Sequence, residues 1–105
     1  MIDYQEIKQD ILAECGEDYV GLWSIIKRFQ SAGITIEPTL METTLDVLHE
    51  LLSRDHIVAG QFSNNEFHIW ERNPTEIVAR IRDEWTALGR TPKISEIAWF
   101  TCDTH

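Results

Sequence analysis

Basic residues are scarce in this chain: nine Lys and Arg stand against eighteen Asp and Glu over 105 residues, for a formal net charge of −9. That deficit disfavours non-specific attraction to phosphate backbones and anionic lipid surfaces, and it favours encounter with basic partners. Cysteine is scarce too. Cys15 and Cys102 are too few and too far apart for a disulfide framework, so both are read as reduced thiols. No apolar run approaches the ~18 residues of a membrane span. The start, Met1-Ile2-Asp3, lacks the basic and apolar regions of a secretory leader, which points to the cytoplasm. There is no Gly-rich phosphate loop, no Ser-His-Asp order and no paired buried carboxylate, so neither an enzyme nor a cofactor is expected. His49 and His56 straddle the end of a helix, and Cys102-Asp103-Thr104-His105 lies in a tail. Neither has the ligand spacing of a structural zinc site, so no metal is expected. Repeats, low-complexity tracts and linkers are all missing, which leaves a single domain over residues 1–105.

What is present centres on Pro38 to Glu71. Thr39-Leu40-Met41-Glu42 has the form of a capping box, with the Thr39 hydroxyl and Glu42 carboxylate each facing the other's amide. From there to Arg54 no Gly or Pro intervenes. At 100° per residue Leu40, Met41, Thr44, Leu45, Val47, Leu48, Leu51 and Leu52 share one side, and Glu42, Thr43, Asp46, His49, Glu50, Ser53 and Arg54 the other. One face is buried and one is wet. His56 to Phe62 reads as a strand, Ser63-Asn64-Asn65-Glu66 as a turn tolerant of positive φ, and Phe67-His68-Ile69-Trp70 as the returning strand.

A capped helix running through Arg54-Asp55-His56-Ile57-Val58 into a hairpin resembles the last helix and wing of a winged-helix domain, over about residues 18–71. The resemblance implies an α+β, mainly α fold: a winged-helix-like three-helix core, a β-hairpin wing and a C-terminal helix. The short strand usual between the first two helices of that fold is missing. A brief strand at Ile34-Thr35-Ile36 is the candidate to replace it.

The first helix is expected over residues 3–15, with Asp3 as N-cap, Gly16 as a left-handed stop, and Tyr4, Ile7, Ile11 and Cys15 in the core. The second is expected over 18–32, capped by Asp18 and ended by Gly33. Its core stripe is Tyr19, Leu22, Ile25, Ile26 and Phe29, with Trp23 at the margin. Asn73-Pro74-Thr75-Glu76 opens a fourth helix that runs to about Leu88, with Gly89 as its stop. Ile77, Val78, Ile81, Trp85 and Leu88 face inward there, and Glu76–Arg80 and Arg80–Glu84 pair outside. Thr91-Pro92 starts a further turn or short helix. Ile94, Ile97, Trp99 and Phe100 close the core as an anchor, and 101–105 is read as a frayed tail.

The pattern Gly21-Leu22-Trp23-Ser24-Ile25-Ile26, with Trp85, Leu88-Gly89-Arg90, Pro92 and Ile97-Ala98-Trp99-Phe100, is similar to a group of small bacterial proteins of unassigned function. In size and acidity the chain also resembles the immunity proteins of interbacterial toxin systems. The resemblance carries no catalytic residues.

In a winged-helix DNA reader the wet face of the third helix enters the major groove, flanked by cations on phosphate. Here that face carries Glu42, Asp46 and Glu50 at i, i+4, i+8, with one arginine over 38–55 and no cation at the wing tip. Glu6, Asp10 and Glu14 repeat the spacing on the first helix. Like charges so spaced repel by about 0.2–0.5 kcal/mol per pair. The rows are either a solvated face or docking surfaces for a basic protein such as a toxin domain. The partner-binding candidates are Glu42, Asp46 and Glu50, then Asp10 and Glu14. Trp70 either packs against the fourth helix or is exposed as an apolar contact. The expected function is non-enzymatic protein binding of immunity or antitoxin type. The alternative is a DNA-binding transcription regulator.

Overall fold

Eight elements follow along the chain: α1 (Tyr4–Glu17), β1 (Val20–Gly21), α2 (Leu22–Ser31), α3 (Glu37–Ser53), β2 (Ile57–Ser63), β3 (Glu66–Ile69), α4 (Pro74–Leu88) and β4 (Trp99–Cys102). The computed structural model describes residues 3–54 and 56–102. The architecture is α+β and mainly helical, with an antiparallel four-stranded sheet in the order β1-β4-β2-β3. No helix among the described residues is long and apolar enough to cross a membrane.

Asp3 caps α1 as expected, its carboxylate accepting from the Glu6 amide at 3.1 Å. Gly16 does not stop the helix. It sits inside α1, which ends where Asp18 turns extended (φ −161°, ψ 179°). The second helix starts later than its sequence suggests. The Asp18 carboxylate accepts from the neighbouring Tyr19 amide instead of capping a turn. Val20 and Gly21 are drawn into the sheet by Phe100 and Trp99, so α2 begins at Leu22 with Gly21 as a cap that has no side chain. The orphan Leu22 amide donates to the Ala98 carbonyl at 3.0 Å. The residue just before Trp99, distant in sequence, thus fills the place of a local cap.

Gly33, at φ +104°, ends α2 as read. Ile34–Ile36 forms no strand: Ile34 turns into the core and Ile36 is 71% exposed. The strand between the first two helices lies at Val20–Gly21 instead. The Thr39–Glu42 capping box is likewise not formed. α3 starts at Glu37, with Ile36 at the cap and Pro38 in the first turn, and both box residues are spent inside the helix or elsewhere. Glu37 instead accepts from Trp85 Nε1 at 2.5 Å and from Thr91 Oγ1 at 2.6 Å, tying the start of α3 to α4 and the segment after it.

The hairpin follows the reading. Asn64 and Asn65 adopt φ 54° and 66°, both positive as a two-residue primed turn requires, and Phe62 pairs Phe67. Asn73 caps α4 by accepting from the Glu76 amide at 2.8 Å, and Gly89 stops it at φ +68°. Outside α4, Arg80 pairs Glu84 at 2.8 Å, but Glu76 faces Arg72 at 3.9 Å and not Arg80.

The largest departure is the C-terminus. Trp99–Cys102 is an inner strand, paired to β1 on one side and β2 on the other. Thr101 and Cys102, read as the start of a frayed tail, lie in register with Val58 and Ile57. Residues 103–105 of that tail, and Asp55 of the run from helix into hairpin, lie outside the described residues. Of the apolar anchor, Phe100 is fully buried and Ile97 packs on the core, whereas Ile94 is 72% exposed. Tyr4 and Tyr19, expected inside, are 40% and 41% exposed. Ile11, Ile25, Phe29, Leu45, Leu48, Ile81 and Phe100 sit in one continuous core between the helices and the inner face of the sheet.

Candidate protein-binding surface

The acidic rows come first, because their partners lie on other helices. Arg28 reaches from α2 to Asp10, at 3.6 Å, and to Glu14 of α1. Lys8 of α1 takes Glu50 of α3 at 2.6 Å, and that hydrogen bond holds the Glu50 carboxyl below its ordinary range. Arg82 of α4 takes Glu42, which raises the guanidinium further. Asp46 is exposed and makes no ion pair among the described residues. The rows are therefore not unopposed negative stripes: four of their six carboxylates staple one helix to the next, and Glu6, like Asp46, makes no ion pair among the described residues. Each exposed pair contributes only about 0–1 kcal/mol. A basic partner would still have to displace them.

Trp70 is 9% exposed, with the Arg80 guanidinium of α4 4.0 Å above its ring. It packs against the fourth helix and offers no open apolar contact, which corrects its place among the binding candidates.

The outer face of the sheet is a different surface. Directly paired residues of an antiparallel sheet point the same way. Gly21, Trp99, Gly60 and Ile69 therefore form one row across all four strands, with the Phe62–Phe67 pair beside it. The companion row on the inner face, Val20, Phe100 and Ala59, is buried against the helices. Outside, five rings touch in succession. Tyr19 meets Phe62 and Phe67 at 4.9 and 4.8 Å between centroids, Phe62 meets Trp99 at 5.2 Å, and Trp99 meets Trp23 at 4.8 Å. Edge-to-face geometry of this kind adds about 0.5–1.5 kcal/mol per pair beyond area burial. The two glycines make room. The Trp23 ring lies where a Cβ on Gly21 would project, and the Phe67 ring comes within 2.8 Å of where one on Gly60 would stand. Tyr19, Phe62 and Ile69 remain 41%, 40% and 51% exposed. A contiguous aromatic patch of this kind is unusual on a solvated surface.

Beside it the turn 90–98 is firmly held. Arg90 grips Glu96 through both carboxylate oxygens at 2.7 Å, and the Lys93 amide donates to the same group at 2.6 Å. The Glu96 carboxyl is thereby pulled down to about 2, first by Arg90 and then by Lys93. Ser95 and Ile97 adopt φ 68° and 69°, a region that resists β-branched residues, and the Ile97 carbonyl accepts from Gln61 Nε2 at 3.0 Å. Phe62, Gln61, His68, Ser95, Ile97 and Trp99 line an open hollow of about 540 Å³ there.

Among the described residues, no group of three or more His, Cys, Asp or Glu could hold a metal ion. His49 instead bridges α3 and α4, with Nε2 3.3 Å from Thr75 Oγ1. Burial pushes the Cys15 thiol up to about 12, helped by its neighbour Cys102. No protein family, curated protein or solved structure matches this chain.

Sequence reasoning missed the aromatic face because it needs β4. Phe62 and Phe67 were legible as a hairpin pair, but Trp99 and Trp23 join them only once the C-terminal segment enters the sheet. The signal was the β-prone run Trp99-Phe100-Thr101-Cys102.

Proposed function

We propose that this chain is a non-enzymatic protein-binding module, of the immunity or antitoxin kind, and that it engages its partner with the outer face of its sheet. The observation that carries the reading is the run of five touching aromatic rings on a sheet face left open to solvent. Aromatic side chains bury large area at low entropic cost, and they dominate the energetics of protein interfaces. The hairpin and α3 form the winged-helix-like part, with α4 added against α3. The site moves from Glu42 and Glu50 to Tyr19, Phe62 and Ile69, because internal ion pairs already engage those carboxylates.

The experiment is coexpression with the products of neighbouring genes, followed by size-exclusion chromatography with light scattering. Phe62→Glu should abolish a complex that Asp46→Lys leaves intact. The reverse pattern would return the interface to the acidic face of α3.

Duplex reading is the second possibility. It gains from the pairing of Glu42 and Glu50, which softens the negative field over α3. It loses because α4 flanks the groove-reading face, through Arg82 on Glu42 and Thr75 on His49. Fluorescence anisotropy with a labelled duplex at low salt decides it: binding with a steep salt slope would favour the regulator.

A further inference from the structure

Six of the nine cationic side chains are committed to ion pairs: Lys8, Arg28, Arg72, Arg80, Arg82 and Arg90. Of the three without one among the described residues, Lys27 and Lys93 line the same groove. The groove runs between α2 and residues 91–94, encloses about 720 Å³, and counts Trp23, Ile26, Pro92 and Ile94 among its lining. Ile94 is 72% exposed, held out by a turn that Arg90 and Glu96 lock in place. The carboxylates nearby are engaged: Glu96 by Arg90, Glu37 by Trp85 and Thr91, and Asp10, on the other side of Lys27, by Arg28. In a chain of net charge −9, the lining of this groove carries two lysines and no carboxylate, beside the exposed Ile94.

We infer that this groove docks an acidic, aliphatic peptide segment of a protein partner, its carboxylates on Lys27 and Lys93 and its apolar side chains on Trp23 and Ile94. The inference rests on the protein-binding reading above for the class of ligand, and it adds the chemistry of the segment. The groove continues the aromatic face, since Trp23 belongs to both. It is open to solvent, which lets a peptide lay its side chains into it. At physiological ionic strength, screening over about 8 Å weakens the repulsion that acids farther off would exert on an acidic segment.

The test uses the full chain and a fluorescein-labelled twelve-residue peptide of alternating glutamate and leucine, with a lysine-for-glutamate counterpart, read by fluorescence polarisation near 0.15 M salt. The acidic peptide should bind at least about tenfold tighter than the basic one, and the Lys27→Glu/Lys93→Glu variant should lose about tenfold, a 1.4 kcal/mol change. Amide shifts in a heteronuclear spectrum should cluster at Trp23, Lys27 and Ile94. Equal binding of both peptides, an unaffected variant, shifts elsewhere, or no binding at millimolar peptide each overturns the inference. A concentration-dependent doubling of mass without peptide also overturns it, by placing a second copy in the groove. If these fail while Phe62→Glu still breaks the partner complex, the module reading stands without the groove.

Discussion

Replacing Phe100 with alanine separates an inner strand from a loose tail. Phe100 is fully buried, pairs with Val20 on one side and Ala59 on the other, and faces the helices. Truncating a phenylalanine at such a site costs about 3–5 kcal/mol in transfer and cavity terms. Domains of this size are stable by about 5–15 kcal/mol, so the loss removes roughly a fifth or more of the total. At about 4–8 °C per kcal/mol, Phe100→Ala should lower Tm by well over 10 °C. Urea titration followed by far-ultraviolet circular dichroism measures it, with Ile94→Ala as the control. Ile94 is 72% exposed and should change stability by less than about 0.5 kcal/mol. A loss below about 1 kcal/mol for Phe100→Ala would refute the placement of β4.

Three further outcomes follow from the same geometry. Glu96 has its carboxyl lowered from 4.5 to about 2, so the folded state favours the ionised form. Its contribution is present above pH about 4.5 and lost as pH falls toward 2, and the Lys93 amide shift should follow that window in wild type and be flat in Glu96→Gln. Gly60→Ala drives a methyl into the His68 carbonyl of the paired strand, so it should cost about 1–3 kcal/mol by thermal melting. A double-mutant cycle on Lys8 and Glu50 should return a coupling of about 0.2–1 kcal/mol that shrinks in high salt.

The fold was readable in its local parts and unreadable where a distant segment overrides local preference. Asn73, Pro74 and Gly89 place α4 correctly, because its cap, first turn and stop are all made within the helix. The Asn64-Asn65 turn places the hairpin for the same reason. Asp18 and Thr39 are good caps by residue type, but neither is used. β4 pulls Val20 and Gly21 into the sheet, and α3 begins at Glu37, where Trp85 and Thr91 supply partners. Carboxylates at i, i+4, i+8 look unopposed on one helix because the helical wheel cannot show Lys8, Arg28 or Arg82 arriving from neighbours. The same blindness hid the aromatic face, whose rings come from α2, the chain before β1, both hairpin strands and β4.

Hydrogen exchange on the chain alone and bound to its coexpressed partner tests the central claim most directly. The account predicts new protection over Phe62–Ile69, around Tyr19 and at Trp99, with the outer helical surface at Glu42–Glu50 unchanged. Protection confined to Glu42–Glu50, with the sheet face exchanging as before, would contradict it.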